Sequence, residues 1–187
     1  MLYHDNGKLQ VFANTRCAST NMHHYFGISV VKQRDFPAEF SNNLVIVLRN
    51  PLDRLVSAST GIPTVASLFS SFKQDLSDAN GKEASDAFVE EYTVFLLHCF
   101  PYLSRIKDEP FRIIDFYRIE DYIPRRKEKF LFQSPVTHSR DYTNPKEVYI
   151  ENRYFSLADL ETEYETYLEL LKYREQISVD EWKEKTT

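Results

Sequence analysis

Short apolar runs alternate with polar turns and amphipathic segments through the first 60 residues. "LQVFAN" and "NLVIVL", at residues 9–14 and 43–48, have the length of strands. The second run is almost unbroken, as is typical of a central parallel strand. Each run leads through a polar turn into a segment with helical spacing, which begins at Ser19 in the first case and at Pro51 in the second. This repeated order predicts an α/β fold in which helices flank a parallel sheet.

Capping residues mark the ends of these first two helices. Gly27 is suited to end the first helix, because glycine readily adopts the left-handed conformation that follows a helix. Asn50 is suited to cap the second, with Pro51 at its first position and Asp53 three residues after the cap. "ISVV", at residues 28–31, is a candidate for a short additional strand.

The rest of the chain continues the α/β pattern without an internal repeat. We expect a long helix over about 85–99 and a strand followed by a turn within 110–122. Ser156, with Asp159 three residues on, starts the last helix. Its predicted buried stripe is Leu160, Tyr164, Tyr167, Leu168 and Leu171. No composition shift marks a domain boundary, so the prediction is a single domain over residues 1–187.

Composition excludes several classes of protein. The formal net charge of −5 leaves no overall basic field for nucleic acid. Two cysteines give no disulfide framework, and no apolar stretch approaches the roughly 20 residues of a membrane span. The first ten residues are too polar for a signal peptide. We therefore expect a soluble cytoplasmic protein that does not bind nucleic acid or a membrane.

The junction between the first strand and the first helix has the chemistry of an anion site. Helix N-termini present unpaired N–H groups and partial positive charge. Arg16 adds a full charge and a fork of donors. The rest of the segment supplies small side chains, hydroxyls and an amide: Cys17, Ala18, Ser19, Thr20 and Asn21. This segment alone leaves open a plainer alternative, in which a hydroxyl only caps the helix and Arg16 is a surface charge.

A second arginine stands at the equivalent place after the next strand. Arg49 follows the strand, and Ser57 lies eight residues later on the following helix. Open α/β sheets bind ligands at the carboxyl ends of parallel strands. The nucleoside-triphosphate loop, in which Gly-Lys-Ser/Thr follows a first glycine, has no match here, which argues against ATPases and kinases of that type.

Together, the two segments resemble the sulfotransferases that use 3′-phosphoadenylyl sulfate (PAPS). That family has Pro-Lys-x-Gly/Ala-Thr/Ser-Thr/Ser at the first position, where this chain has Thr15-Arg16-Cys17-Ala18-Ser19-Thr20. Its second motif, Arg-x-Pro-x-x-Arg-x-x-Ser, is complete from Arg49 to Ser57. The resemblance is closest to the carbohydrate branch and extends over about 10–173, with weaker similarity at 98–103, 116–122 and 134–142.

The resemblance implies roles for individual residues. Residues 16–21 would hold the 5′-phosphosulfate, with Arg16 acting on the sulfuryl group, and Arg49 and Ser57 would bind the 3′-phosphate. Arg140, in the basic loop "THSRDY", is a further candidate phosphate ligand. The base that takes the acceptor proton is His or Glu in the family, and His98 followed by His23 are the candidates here. The acceptor would be a glycan or a small molecule, and no metal is implied.

Other readings of these residues remain open. The fold could keep the nucleotide site without catalysis, as a module that binds adenosine bisphosphate, or the enzyme could transfer phosphoryl groups. "HCFPYLSR" fits the His-Cys-x5-Arg signature of cysteine phosphatases, with Cys99 as nucleophile and Arg105 on the phosphate. The bulky residues between them, and Pro101 without an N–H, argue against a loop that wraps a phosphate.

Overall fold

The computed structural model describes residues 2–27, 39–61, 100–123, 142–149 and 154–187. These residues form an α/β structure whose chain divides into two compact units. The first unit contains Met1–Asn50, Tyr102–Glu128 and Glu165–Thr187, and the second contains Pro51–Pro101 and Lys129–Tyr164. The predicted strand at 28–31 and the predicted helix over 85–99 lie outside the described residues, and the prediction of a single domain stays a prediction.

A four-stranded mixed sheet lies in the first unit. In the order of the sheet, its strands are β1 Leu2–Asp5, β2 Gln10–Ala13, β3 Leu44–Leu48 and β4 Arg112–Asp115. The three strands from β2 to β4 are parallel, whereas β1 runs antiparallel to β2. The expectation of a purely parallel sheet is therefore wrong.

A tight turn explains the antiparallel first strand. The side-chain oxygen of Asn6 accepts the N–H groups of Lys8 and Leu9, and Gly7 has a φ of 80°. So few residues can join only antiparallel neighbours, because a parallel pair needs a crossover of a dozen residues or more. The polar N-terminal segment gave no apolar signal for this strand, which has a half-exposed to exposed pattern after Leu2.

Strand register brings the carboxyl ends of β2, β3 and β4 to one edge of the sheet. Phe12 pairs with Ile46, and Leu48 pairs with Asp115. The segments that follow these strands therefore emerge side by side, which is the arrangement that positions ligand sites in parallel sheets.

Two of the described helices begin directly after Asn50 and Ser156, the residues expected to start them. Those described are α1 Ser19–Tyr25, α2 Pro51–Gly61, α3 Leu103–Ile106, α4 Ile119–Tyr122, α5 Pro145–Val148, α6 Leu157–Tyr173 and α7 Val179–Thr186. A 3-10 turn at Phe116–Arg118 joins β4 to α4. Gly27, at φ 65°, follows α1 and donates its N–H to the His24 carbonyl, so the predicted end of this helix is confirmed. None of the helices in the described part of the chain is long and apolar enough to cross a membrane.

Trp182 of α7 anchors the C-terminus in the core of the first unit. It is wholly buried, and its ring lies 6.1 Å from that of Tyr25, 5.9 Å from Phe26 and 6.0 Å from Tyr122. The same core cluster contains apolar residues of the sheet, among them Val11, Val45 and Ile114. The sequence pattern did not predict this helix or its part in the core.

The second unit has its own core around α2. Leu52 and Leu55 are buried there with Val148 of α5 and Leu160 of α6. Ser156 caps α6 reciprocally with Asp159, since each accepts the backbone N–H of the other.

The predicted stripe of α6 is correct for Leu160 and Tyr167, which are buried. Tyr164 and Leu171 are half-buried. The prediction that Leu168 is buried is wrong, because this residue is 46% exposed. The buried face continues instead through Leu170, which lies three residues after Tyr167 and so shares its side of the helix.

Candidate functional site

The loops that follow β2 and β3 are in contact at the carboxyl edge of the sheet. Arg49, the first residue after β3, donates its Nη1–H to the backbone carbonyl of Arg16 at 2.6 Å. The two segments that were separate motifs in the sequence are thus joined by a hydrogen bond within the first unit.

The loop before α1 has an unusual backbone for a segment without glycine. Arg16 has a φ of 63° and Ala18 a φ of 61°, both in the left-handed region. This conformation is costly for residues with a Cβ and tends to occur at functional sites. Left-handed residues in short loops also help to form the concavities of N–H groups that bind anions.

Hydrogen bonds and burial hold this loop in place. The Asn14 side-chain oxygen accepts the Thr15 N–H at 2.7 Å, and the Asn14 carbonyl accepts the Cys17 N–H at 3.0 Å. The Cys17 side chain is wholly buried in the core of the first unit. Cys17 therefore anchors the loop to the core, and its predicted part in binding PAPS stays a prediction.

The first turn of α1 lacks a side-chain cap. The cap position is occupied by Ala18, which makes no side-chain hydrogen bond, and the first helical bond runs from the Met22 N–H to the Ala18 carbonyl at 3.0 Å. Neither Ser19 nor Thr20 caps the helix, contrary to the plainer alternative. Ser19 is half-buried, and Thr20 and Asn21 are exposed, so the polar side chains of this turn lie at the surface.

Arg49 carries a buried charge without a carboxylate partner among the described residues. It is 9% exposed, its guanidinium carbon lies 4.3 Å from the centre of the Phe116 ring, and its Nε has no hydrogen-bond partner in the described part of the chain. Arg112 is the comparison: it is 7% exposed and its Nε likewise lacks a partner among the described residues, but its Nη1 lies 2.7 Å from the Glu181 carboxylate. Burying a charge without such a partner is costly, so Arg49 is suited to receive an anion.

Phe116 and Asn14 are parts of this site that the sequence analysis missed. Phe116 directly follows β4, just as Arg49 directly follows β3. Asn14 likewise directly follows β2. The rule that places ligand sites at the carboxyl ends of parallel strands would therefore have identified Phe116 and Asn14. Phe116 supports the guanidinium through the negative face of its ring.

Other residues of the second motif have a structural part in the second unit. Arg54 is 1% exposed and donates its Nη2–H to the Phe100 carbonyl at 2.7 Å. The Asp53 carboxylate accepts the Tyr142 N–H at 3.2 Å. Ser57 is half-buried on α2. Since Arg49 belongs to the first unit and Ser57 to the second, their shared binding of a phosphate stays a prediction.

The candidate bases are only partly described. His23 is 5% exposed, whereas its neighbour His24 is exposed, because adjacent residues on a helix point to different sides. His98, Cys99 and Arg140 lie outside the described residues. Within the described ranges, no group of three or more His, Cys, Asp or Glu side chains is placed to hold a metal ion.

Comparison with known proteins adds no family to this picture. A scan against protein-family models, a search of curated proteins and a search of solved structures each found no match.

Proposed function

We propose that this protein is a PAPS-dependent sulfotransferase, which moves a sulfuryl group from PAPS to a hydroxyl of a glycan or other small acceptor. The observation that carries the proposal is the buried Arg49 guanidinium. It lies beside the loop of residues 14–18, which contains the first part of the other motif of that family, and no carboxylate of the described residues neutralises it.

The charge of Arg49 favours a phosphate over a neutral ligand. A guanidinium offers planar N–H pairs that match two oxygens of one phosphate group, and such charge-assisted bonds are stronger than neutral ones. PAPS carries a 3′-phosphate in addition to its 5′-phosphosulfate. A protein with separate arginines for these two groups discriminates PAPS from nucleotides that have a phosphate only at the 5′ position.

The proposed reaction is an in-line transfer. The acceptor oxygen forms a bond to sulfur while the bond from sulfur to the bridging phosphate oxygen breaks, and adenosine 3′,5′-bisphosphate leaves. Negative charge develops on the sulfuryl and bridging oxygens. Arg16 and N–H groups of its loop would stabilise that charge, and a base would take the acceptor proton.

Burial affects the choice between the candidate bases. A base has to come within hydrogen-bond distance of the acceptor hydroxyl. His23, at 5% exposed, is poorly placed for contact with a glycan. We therefore keep His98 as the first candidate for the base.

Calorimetry with three nucleotides tests the binding half of the proposal. Adenosine 3′,5′-bisphosphate should bind at least tenfold more tightly than AMP or ATP, which corresponds to the roughly 1.5–3 kcal/mol of one hydrogen bond to a charged group. Arg49→Met should remove that preference. Lys8→Met is the matched control, because Lys8 is exposed in the turn at the other end of β2. Equal affinity for AMP would reject the proposal.

Transfer of labelled sulfate from PAPS to a panel of glycans and phenols tests the catalytic half. Transfer that depends on Arg16 is the expected result. Binding of adenosine bisphosphate without transfer to any acceptor would instead identify a nucleotide-binding module that lacks catalysis.

A further inference from the structure

The guanidinium of Arg49 has two sides with different surroundings. Nη1 is bonded to the Arg16 carbonyl at 2.6 Å. Nε is buried and has no partner within the described residues. Because Nε and Nη2 form one planar edge of the guanidinium, a bound anion and the loop carbonyl can be held at the same time.

The carbonyl that Arg49 holds belongs to a residue in a costly conformation. Arg16 is left-handed at φ 63°, and Ala18 at φ 61° is left-handed two residues later. Such residues persist only where the surroundings hold them. Within the loop, the Asn14 carbonyl accepts the Cys17 N–H. From the end of the neighbouring strand, Arg49 donates to the Arg16 carbonyl.

We infer that Arg49 is a positioning residue for the loop of residues 14–18, in addition to being an anion ligand, an inference that rests on the proposed function. An anion on the Nε and Nη2 edge fixes the guanidinium, and the guanidinium in turn fixes the Arg16 carbonyl. Binding of the phosphate that takes no part in the reaction thereby further stabilises the conformation of the loop that holds the transferred group.

Kinetics of two Arg49 variants separate positioning from simple binding. A residue that only binds PAPS in the ground state changes the KM and leaves kcat unchanged. Arg49→Met should raise the KM for PAPS and also lower kcat at saturating PAPS by about tenfold, which is about 1.4 kcal/mol. Arg49→Lys should restore kcat more fully than it restores the KM for PAPS. The reason is that an ammonium can donate to the Arg16 carbonyl but lacks the bidentate edge that binds a phosphate.

Backbone chemical shifts of Arg16 and Ala18 measure the positioning without any reaction. In the ligand-free protein they should report left-handed φ for the wild type and Arg49→Lys, and a loss of that signature in Arg49→Met. The Ala18 resonance is assigned by its disappearance in Ala18→Gly. Ala158, exposed on α6, serves as an internal reference that should not shift.

The two measurements distinguish failure of this inference from failure of the proposed function. Left-handed shifts that persist in Arg49→Met, together with an unchanged kcat, would overturn the positioning role and leave a sulfotransferase standing. Loss of the left-handed shifts in Arg49→Met, together with a wild-type protein that transfers no sulfate, would support the positioning role and overturn the sulfotransferase.

Discussion

Replacement of Ala18 by glycine should relieve strain that the candidate site stores. Ala18 has a φ of 61°, and an L-residue in this region pays about 1–2 kcal/mol that glycine avoids. Against this gain, glycine loses about 0.5–1 kcal/mol through the greater freedom of the unfolded chain. Loss of the half-buried methyl costs up to about 0.4 kcal/mol, half the value of a fully buried group.

The net effect of Ala18→Gly is therefore close to zero, and a matched variant isolates the strain. Ala158 is exposed in the first turn of α6, where Ala→Gly pays the cost of glycine and relieves nothing. Ala158→Gly should lower the free energy of unfolding by about 0.5–1 kcal/mol. Ala18→Gly should be more stable than Ala158→Gly by about 1 kcal/mol.

Urea denaturation at neutral pH measures this difference. For a chain of this length, about 1 kcal/mol also corresponds to a difference of about 2–4 °C in Tm. If Ala18→Gly loses as much stability as Ala158→Gly, or more, the left-handed conformation of Ala18 is not strained and the reasoning fails. The m-values of the two variants should agree, because neither changes the surface exposed on unfolding.

Three further perturbations have defined outcomes. Arg16→Ala should lower kcat for sulfate transfer by about 10²-fold, the scale of one lost oxyanion donor, and Arg16→Lys should recover part of that loss. Normal turnover of Arg16→Ala with weaker PAPS binding would contradict the proposed role of Arg16 in the transition state. Trp182→Ala should lower the free energy of unfolding in urea by about 3–5 kcal/mol, because the ring is wholly buried; a loss under about 1 kcal/mol would show that α7 does not support the core. Hydrogen bonds from Lys185 and then Arg112 lower the pKa of Glu181. The stability they add is present above the ordinary Glu pKa of about 4.3 and is lost as pH falls through the lowered value. Glu181→Gln should thus be less stable than wild type near pH 7 and show a smaller deficit near pH 3; a deficit independent of pH would contradict this linkage.

Local signals in the sequence predicted the parallel strands and three of the seven described helices, α1, α2 and α6. The apolar runs at 9–14 and 43–48 became β2 and β3, because a buried parallel strand tolerates few polar residues. Ser156 and Asp159 formed the expected cap, and Gly27 took the left-handed conformation after α1. These features depend on near neighbours in the chain, so a pattern of a few residues is sufficient to predict them.

Features that depend on distant parts of the chain were missed. β1 is polar along most of its length and gains its place by pairing with β2 across a tight turn. α7 has little apolar pattern, and its single tryptophan is buried against α1 and α4. Leu168 was assigned to the buried face of α6 although the packing of that helix leaves it exposed. Periodicity alone does not define which flank of an amphipathic helix meets the core.

The candidate site also combines features that are local in the sequence with features that depend on distant parts of the chain. The sequence by itself identified the two segments that contain Arg16 and Arg49, because short motifs and the ends of parallel strands can be recognised from a few neighbouring residues. Tertiary structure alone decided that the Arg49 guanidinium holds the Arg16 carbonyl, stacks on Phe116 and is buried without a carboxylate among the described residues. It also decided that Arg16 and Ala18 are left-handed. The physical reason is that residues with a Cβ avoid this conformation, so it occurs only where contacts from elsewhere in the fold compensate for its cost.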